Sequence, residues 1–150
     1  MERAHEEPTR HIRPIMESQL FGVLATRDTS GLHTSLVAFA GTEDLTAVFF
    51  ATPVQSRKFR NLSRYASVSL FVDNRINDPG RIDDITGISI KGDAESLDER
   101  ERHEALRVYT QKHPYIHSFA QHPDTALVRI RAREYQVVTR FSHVSIYSVA

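Results

Sequence analysis

Three short apolar runs separated by turn residues predict an antiparallel meander in the first third of the chain. The runs cover residues 21–26, 33–40 and 45–51. Asp, Thr, Ser and Gly occupy the gaps between them, and these residue types favour tight turns. Because strands joined by short turns pair antiparallel, the pattern argues against a parallel α/β sheet.

The N-terminal segment is polar at first and then carries a helical stripe of apolar residues. Residues 1–9 are expected to form a loosely attached tail. From His11 onward, apolar residues recur at helical spacing, and Pro14 predicts that the regular helix begins near it. This helix would precede the first strand.

Helices and strands alternate in the rest of the chain. Helices are expected at residues 56–65, from the capping box Ser96-x-x-Glu99 to about Gln111, and at residues 114–121. Strands are expected at residues 67–73, 85–95, 125–131, 135–141 and 144–149. Gly87 and Gly92 mark bends or bulges in the 85–95 strand, and residues 74–84 form a polar loop.

Six to eight antiparallel strands with a few helices predict a mainly β fold, a small closed barrel without exposed strand edges. A barrel of this size fills its interior with its own side chains. A ligand would therefore bind on the outside of the barrel or at a junction between subunits.

Composition narrows the class of protein. A chain of 150 residues is expected to form one domain, residues 1–150. Lys and Arg total 19, as do Asp and Glu, which argues against a nucleic-acid partner. Cysteine is absent, so thiolate catalysis and Cys-based metal sites are excluded. Without a long apolar run or an apolar leader, no membrane association is expected, and a cytoplasmic location is the default.

The segment of residues 49–70 contains the most informative chemistry. An apolar strand ends at Thr52, and Ser56, Arg57 and Lys58 open the next helix. Free backbone N–H groups and the helix dipole favour an anion there, phosphate above all, and Arg57 and Lys58 supply charge. The alternative is that the cations form the solvated face of a short helix whose apolar side packs inward.

The same segment, in its sequence context, resembles the pyridoxamine 5′-phosphate oxidase-like, FMN-binding split-barrel family. The resemblance rests on the spacing Thr52-x-x-x-Ser56-Arg57-Lys58 and on the strands before and after it. Residues 22–26 and 33–39 are similar to the first two strands of that family, and residues 71–75 and 135–141 are similar to a branch of small, single-domain members. The match covers about residues 15 to 142. It implies an antiparallel split β-barrel and a homodimer with two FMN molecules between the protomers.

The resemblance also implies which residues contact the cofactor. They are His33, Thr34, Ser35, Leu36, Ala51, Thr52, Ser56, Arg57, Lys58, Asn74 and Arg75. Many relatives have a permanently basic residue at the position of His33, so a neutral imidazole there would weaken the charge that faces the phosphate. Without the resemblance, an ordinary amphipathic strand is the preferred interpretation of residues 33–36. The alternative for Arg75 is a loop arginine paired with Asp73, Asp78 or Asp83.

Several histidines near the C-terminal end have no assigned role. His113 and His117 have the i, i+4 spacing of neighbours on a helix face, and His122 follows them. Such a cluster can ligate a metal or haem, but the flanking prolines favour three solvent-exposed histidines and no metal site. His143 is equally unassigned.

The expected activity is that of an FMN-dependent oxidoreductase, because the cofactor would supply the chemistry and no catalytic side chain is evident. Electrons would pass from a nicotinamide donor to a small acceptor, and NAD(P)H would bind transiently because a dinucleotide fingerprint is absent. Vitamin B6-phosphate oxidases of the family end with a segment that bears Trp and Arg-x-His, which this chain lacks. The alternatives are an F420-using reductase, a non-catalytic flavin- or haem-sequestering protein, and a barrel without ligand that acts in protein interaction.

Overall fold

The computed structural model describes residues 3–150 and is built mainly from antiparallel strands. Its seven strands are β1 (Phe21–Asp28), β2 (Gly31–Gly41), β3 (Ala47–Pro53), β4 (Ser67–Asp73), β5 (Thr86–Ser96), β6 (Thr125–Thr139) and β7 (His143–Ser148). Its four α-helices are α1 (Arg3–Ser18), α2 (Arg57–Arg64), α3 (Glu99–Lys112) and α4 (His117–Gln121). Short 3-10 segments cover Pro79–Asp84 and Pro114–Ile116.

The strands form one sheet in the order β3-β2-β1-β4-β5-β6-β7, and an additional pairing of β3 with β6 closes the first six into a barrel. All pairings are antiparallel, and β7 is added outside the closure along β6. The predicted meander of three strands and the predicted mainly β barrel are therefore confirmed. No helix of the described residues is long and apolar enough to span a membrane.

Apolar side chains fill the barrel interior, and α1 closes one of its ends. Leu24, Phe39 and Phe50 are completely buried inside. Ile12 and Ile15 of α1 belong to the same core cluster. Because the interior is occupied in this way, a ligand has to bind outside the barrel, as the strand pattern predicts.

Strand β2 is paired with β3 over only a short stretch. It pairs with β1 along almost its whole length, but with β3 only from Phe39 to Gly41. Where the strands separate, the Tyr109 hydroxyl of α3 donates to Ala38 O at 3.0 Å. Beside it, Nε2 of His113 lies 2.7 Å from Phe39 O. Side chains from α3 thus satisfy carbonyl groups of β2, and the split between β2 and β3 leaves room beside the first half of β2.

The N-terminal helix is longer than the sequence indicates. It begins at Arg3, so that residues 3–9 of the expected loose tail are helical and Pro14 lies inside the helix rather than near its start. Pro14 removes one backbone hydrogen bond. Burial of Ile12, Ile15 and Met16 against the barrel offsets that loss, because these side chains are almost inaccessible to solvent. Residues 1 and 2 of the expected tail lie outside the described residues.

The C-terminal strands also differ from the prediction. The two strands expected at 125–131 and 135–141 are one strand, β6, with one extra residue, Arg133, opposite the Lys91/Gly92 step of β5. This bulge confirms the interpretation of Gly92, where a Cβ atom would lie 2.2 Å from Arg131 O. Gly87 has no register shift; a Cβ there would touch the Phe71 ring at 3.0 Å.

Two smaller boundaries were not evident from residue types. Arg140 and Phe141 adopt positive φ values of 51° and 61°, so they form the turn between β6 and β7 instead of ending a strand. Helix α3 is capped by Asp98, whose carboxylate accepts from Glu101 N at 2.8 Å, and not by the predicted Ser96, which ends β5.

Candidate phosphate and cofactor site

The start of α2 is the part of the molecule best suited to hold an anion. Ser56 is the N-cap, and its Oγ accepts from Phe59 N at 3.2 Å. The buried Thr52 hydroxyl of β3 lies 2.8 Å from Ser56 Oγ and fixes the cap. The backbone N–H groups of Arg57 and Lys58 have no hydrogen-bond partner among the described residues. They are the free donors that a bound anion uses at a helix N-terminus.

The position of α2 is set by contacts on its inner side. Leu62 is buried in the barrel core, and Phe59 packs against that core. The buried Asn61 donates from Nδ2 to Thr26 Oγ1 of β1 at 3.1 Å. With the helix held on this face, the exposed Arg57 and the half-buried Lys58 remain near the split between β2 and β3.

Arg57 and His33 meet across this split. Nη1 of Arg57 lies 3.4 Å from Nδ1 of His33, and Nε2 of His33 lies 2.9 Å from Oδ2 of Asp28. The second contact is close but poorly directed, because the buried Nε2 has no partner of good hydrogen-bond geometry among the described residues. Asp28, His33 and Arg57 therefore form a continuous row of charged and titratable groups at the candidate site.

Asp28 is held ionised by its surroundings. Its Oδ1 accepts from the Ser30 hydroxyl at 2.6 Å and from Ser30 N at 2.7 Å. These hydrogen bonds, the hydroxyl first, hold the pKa of the Asp28 carboxyl well below its usual range, and His33 adds to the effect. Asp28 therefore presents a permanent negative charge 2.9 Å from Nε2 of His33.

The strand residues predicted to lie along a flavin flank the split. Thr34 and Leu36 point to solvent and Ser35 is half-buried, the alternation of a strand with one free face. Ala51 is half-buried on β3 and packs against the second apolar cluster, which α3 contributes to. Thr34, Ser35 and Leu36 follow His33 along β2, and Ala51 precedes Thr52 on β3; His33 and Thr52 are the residues that contact the start of α2.

Asn74 and Arg75 are not joined to the start of α2 by any contact among the described residues. Oδ1 of Asn74 accepts from Thr86 N at 2.7 Å and ends the β4–β5 ladder. Arg75 donates to both carboxylate oxygens of Asp73, at 2.6 to 3.0 Å. Within one chain, Arg75 is therefore a loop arginine paired with Asp73, which is the alternative to a cofactor contact.

The histidine cluster is different from the one expected. His113 is completely buried, while His117 and His122 are exposed. Helix α3 ends at Lys112, and a 3-10 segment separates His113 from His117, so the two do not share a helix face. The prediction of an exposed His113 is wrong, because its imidazole replaces a strand partner at Phe39 O. No group of three metal-binding side chains occurs among the described residues.

Asp28 and the α3 side chains were missed by the sequence analysis. Asp28 was identified as a turn residue, which it is, but the hairpin register also places it near His33, five positions later. That register is the signal that could have revealed it. Tyr109 and His113 had no comparable signal, because their partners lie more than 70 residues earlier.

A closed antiparallel barrel with a cationic corner at the split between two strands defines the class of small split-barrel proteins. The profile of the pyridoxamine 5′-phosphate oxidase family matches residues 8–139. The chain belongs to this family, as its resemblance indicates. No curated protein sequence matches the chain.

Solved structures of the same fold share little sequence with it. A haem-binding protein from Mycobacterium smegmatis superposes with a TM-score of 0.78 and 18% identity over 89% of this chain, which spans 55% of that protein's length. General Stress Protein 26 from Bacillus anthracis superposes with a TM-score of 0.67 and 18% identity, over 95% of this chain and 99% of that protein. HutZ, the haem storage protein from Vibrio cholerae, superposes with a TM-score of 0.72 and 16% identity, over 87% of this chain and 92% of that protein. Identities this low concern the fold alone.

Proposed function

We propose that the chain binds FMN at the start of α2 and acts as an FMN-dependent oxidoreductase. The observation that carries the proposal is the convergence of two free backbone donors, Arg57, Lys58 and the His33–Asp28 pair on one corner. A phosphate monoester is close to a dianion at neutral pH and suits such a corner. Family membership over residues 8–139 supports flavin as the group attached to that phosphate.

The flavin ring would lie along the first half of β2, beside Thr34, Ser35 and Leu36. Ala51 of β3 has a small side chain and permits close approach at the strand end. When bound, FMN supplies the electron transfer, and the residues of the chain hold its phosphate, orient the ring and exclude water. No side chain is assigned a proton-transfer role. The donor would be a nicotinamide nucleotide that binds transiently over the ring.

We further propose that the functional unit is a homodimer formed by the outer sheet face of β1, β2 and β4. Leu36, Val23 and Phe71 lie in one register row across these strands. Leu36 is 68% exposed, and Phe21, 52% exposed and two residues before Val23 on β1, extends the same face. Exposed apolar area of this kind typically marks an interface. In a dimer, Asn74 and Arg75 could approach the cofactor of the partner subunit, which would explain their distance from the start of α2.

Haem is the second candidate ligand. Two of the structural neighbours are described as a haem-binding protein and a haem storage protein. The propionate groups of haem could pair with Arg57 and Lys58, and the exposed His117, His122 or His143 offers an imidazole ligand. FMN is preferred because the capped helix start, with its free N–H groups, favours a phosphate over a carboxylate on a flexible arm.

The test is spectroscopic. The purified protein is titrated separately with FMN, riboflavin and haem, and the absorption spectrum is then followed during anaerobic addition of NADPH. We expect FMN to bind roughly tenfold or more tightly than riboflavin, since charge-assisted hydrogen bonds to phosphate are lost in riboflavin. Bleaching of the flavin bands by NADPH would support the oxidoreductase. Absence of flavin uptake, with a Soret band after haem addition, would overturn the proposal in favour of haem.

A further inference from the structure

A cavity lies away from the start of α2, between α1, the corner that joins β2 to β3, and the last turns of α3. Its volume is about 530 Å³, within the usual range for small-molecule sites. It shares no lining residue with the candidate cofactor site. Met16, Ala40 and Leu45 line it and are almost fully buried, so part of its wall is apolar.

Lys112 is the unusual residue of this cavity. It is half-buried, donates from Nζ to Met16 O at 2.8 Å, and lies 4.0 Å from the centre of the Phe39 ring. No carboxylate of the described residues lies within ion-pair distance of it. Burial lowers the pKa of Lys112 to about 8. An ammonium group has three donors, and the protein satisfies one of them with a carbonyl, so a negative ligand would supply the missing counter-charge.

The other charged groups of the wall limit how negative that ligand can be. Arg107 is paired with Glu104 at 2.6 Å, and Arg13 donates to the backbone oxygen of Glu43. Glu17 and Glu43 are exposed members of the lining, and their carboxylates have no hydrogen-bond partner among the described residues. Their charge disfavours a doubly charged ligand such as a phosphate monoester, because like charges repel at this distance. A single negative charge would meet about half of that repulsion and could still pair with Lys112.

We propose that this cavity binds a small organic monoanion with an apolar body, a carboxylate or sulfonate whose head group pairs with Lys112. The apolar part lies against Met16, Ala40 and Leu45. The site is independent of the proposed function, since it uses neither the start of α2 nor the split between β2 and β3.

The probe is 8-anilinonaphthalene-1-sulfonate, a fluorescent monoanion with an apolar body, with octanoate as a competitor. We expect one probe per chain, displaced by octanoate, and Lys112→Met to weaken its binding by roughly tenfold because a charge-assisted contact is lost. Lys112→Arg keeps the charge and should retain binding. Gln111→Trp keeps Lys112 but occupies the cavity with a larger side chain at an exposed lining position, and should also weaken binding.

The controls separate this site from other surfaces. Lys91→Met removes an exposed lysine that lies 3.9 Å from Glu134, and should change nothing. Leu32→Ser tests the outer sheet face, where Leu32 is 80% exposed. Probe binding that falls in Leu32→Ser but is unchanged in Lys112→Met would overturn the proposal.

A measurement on the unaltered chain gives the same decision if Lys112→Met does not fold. Octanoate remains a monoanion throughout, so its affinity should fall as the pH rises through about 8, where Lys112 loses its proton. Affinity that is constant from pH 7 to pH 9.5 would contradict the role of Lys112. FMN titration of the same variants reports the proposed function separately.

Discussion

His33 Nε2 lies 2.9 Å from Asp28 Oδ2, and this contact holds the imidazole so that its Nδ1 lies 3.4 Å from Nη1 of Arg57. We expect Asp28→Ala to weaken FMN binding by about threefold to tenfold, because the contact that fixes the imidazole at the candidate phosphate site is lost. Riboflavin binding should be unchanged.

Fluorescence titration with FMN and with riboflavin measures the effect of Asp28→Ala. An FMN affinity that is unchanged in this variant would exclude the pair of Asp28 and His33 from the phosphate site.

Arg57 and Lys58 are expected to contribute most of the discrimination between FMN and riboflavin. Replacement of both by Ala should weaken FMN binding by roughly tenfold or more, since each charge-assisted hydrogen bond is worth about 1.5–3 kcal/mol. Arg60→Ala is the matched control, because Arg60 lies on the same helix but donates to Gln55 O and has no contact with His33. Fluorescence titration with both flavins measures the effect. Equal affinities of the double variant and the control would remove the basis of the phosphate site.

The outer sheet face predicts a dimer that an introduced charge disrupts. Leu32 and Phe21 are 80% and 52% exposed on this face. The double replacement of Leu32 and Phe21 by Lys should produce monomers, because like charges would meet in an apolar interface. The same variant should also bind FMN more weakly. Sedimentation velocity measures the oligomeric state. Ile82→Lys, in the 3-10 segment and 49% exposed, is the control that should remain dimeric. An unaltered chain that sediments as a monomer with FMN bound would contradict this arrangement.

The sequence predicts those parts of the fold that depend on neighbouring residues. The β1–β2 hairpin and strand β4 follow from alternation and turn residues, and the predicted bounds of β4 agree with the structure. Thr52, Ser56 and Arg57 are close in the chain, so local pattern also places them together where β3 ends and α2 begins. Their role in holding a phosphate stays a prediction that depends on the family resemblance.

Features that depend on distant parts of the chain could not be predicted in the same way. Pro14 argues locally for a helix start, but tertiary burial of α1 keeps the helix intact around it. His113 appears polar and close to prolines, yet it fills a gap in the hydrogen bonds of β2. The contact between His33 and Arg57 required the three-dimensional path of α2 over the split. Each of these features depends on a contact between residues that are distant in sequence, which local patterns do not reveal.

The buried His113 is expected to make the fold sensitive to acid. Its Nε2 lies 2.7 Å from Phe39 O, so the neutral form with hydrogen on Nε2 fits, and the buried Nδ1 has no hydrogen-bond partner among the described residues. Burial lowers the pKa of His113, and the charge of neighbouring Lys112 acts in the same direction, while the rings of Tyr109 and Tyr115 are also close to it. Below about pH 6.5 the unfolded chain therefore binds more protons than the folded one, and the free energy of unfolding falls as the pH falls.

The variant His113→Gln separates this effect from other acid-labile groups. The glutamine amide can still donate to Phe39 O but does not titrate. We expect His113→Gln to have a lower free energy of unfolding than the unaltered chain at pH 7.5. The difference between the two should be smaller at pH 5, because only the unaltered chain is destabilised by protonation of His113. Urea unfolding at both pH values measures it. His117→Gln, at an exposed position, should follow the unaltered chain at both. A stability difference for His113→Gln that is equal at the two pH values would show that His113 does not titrate during acid unfolding.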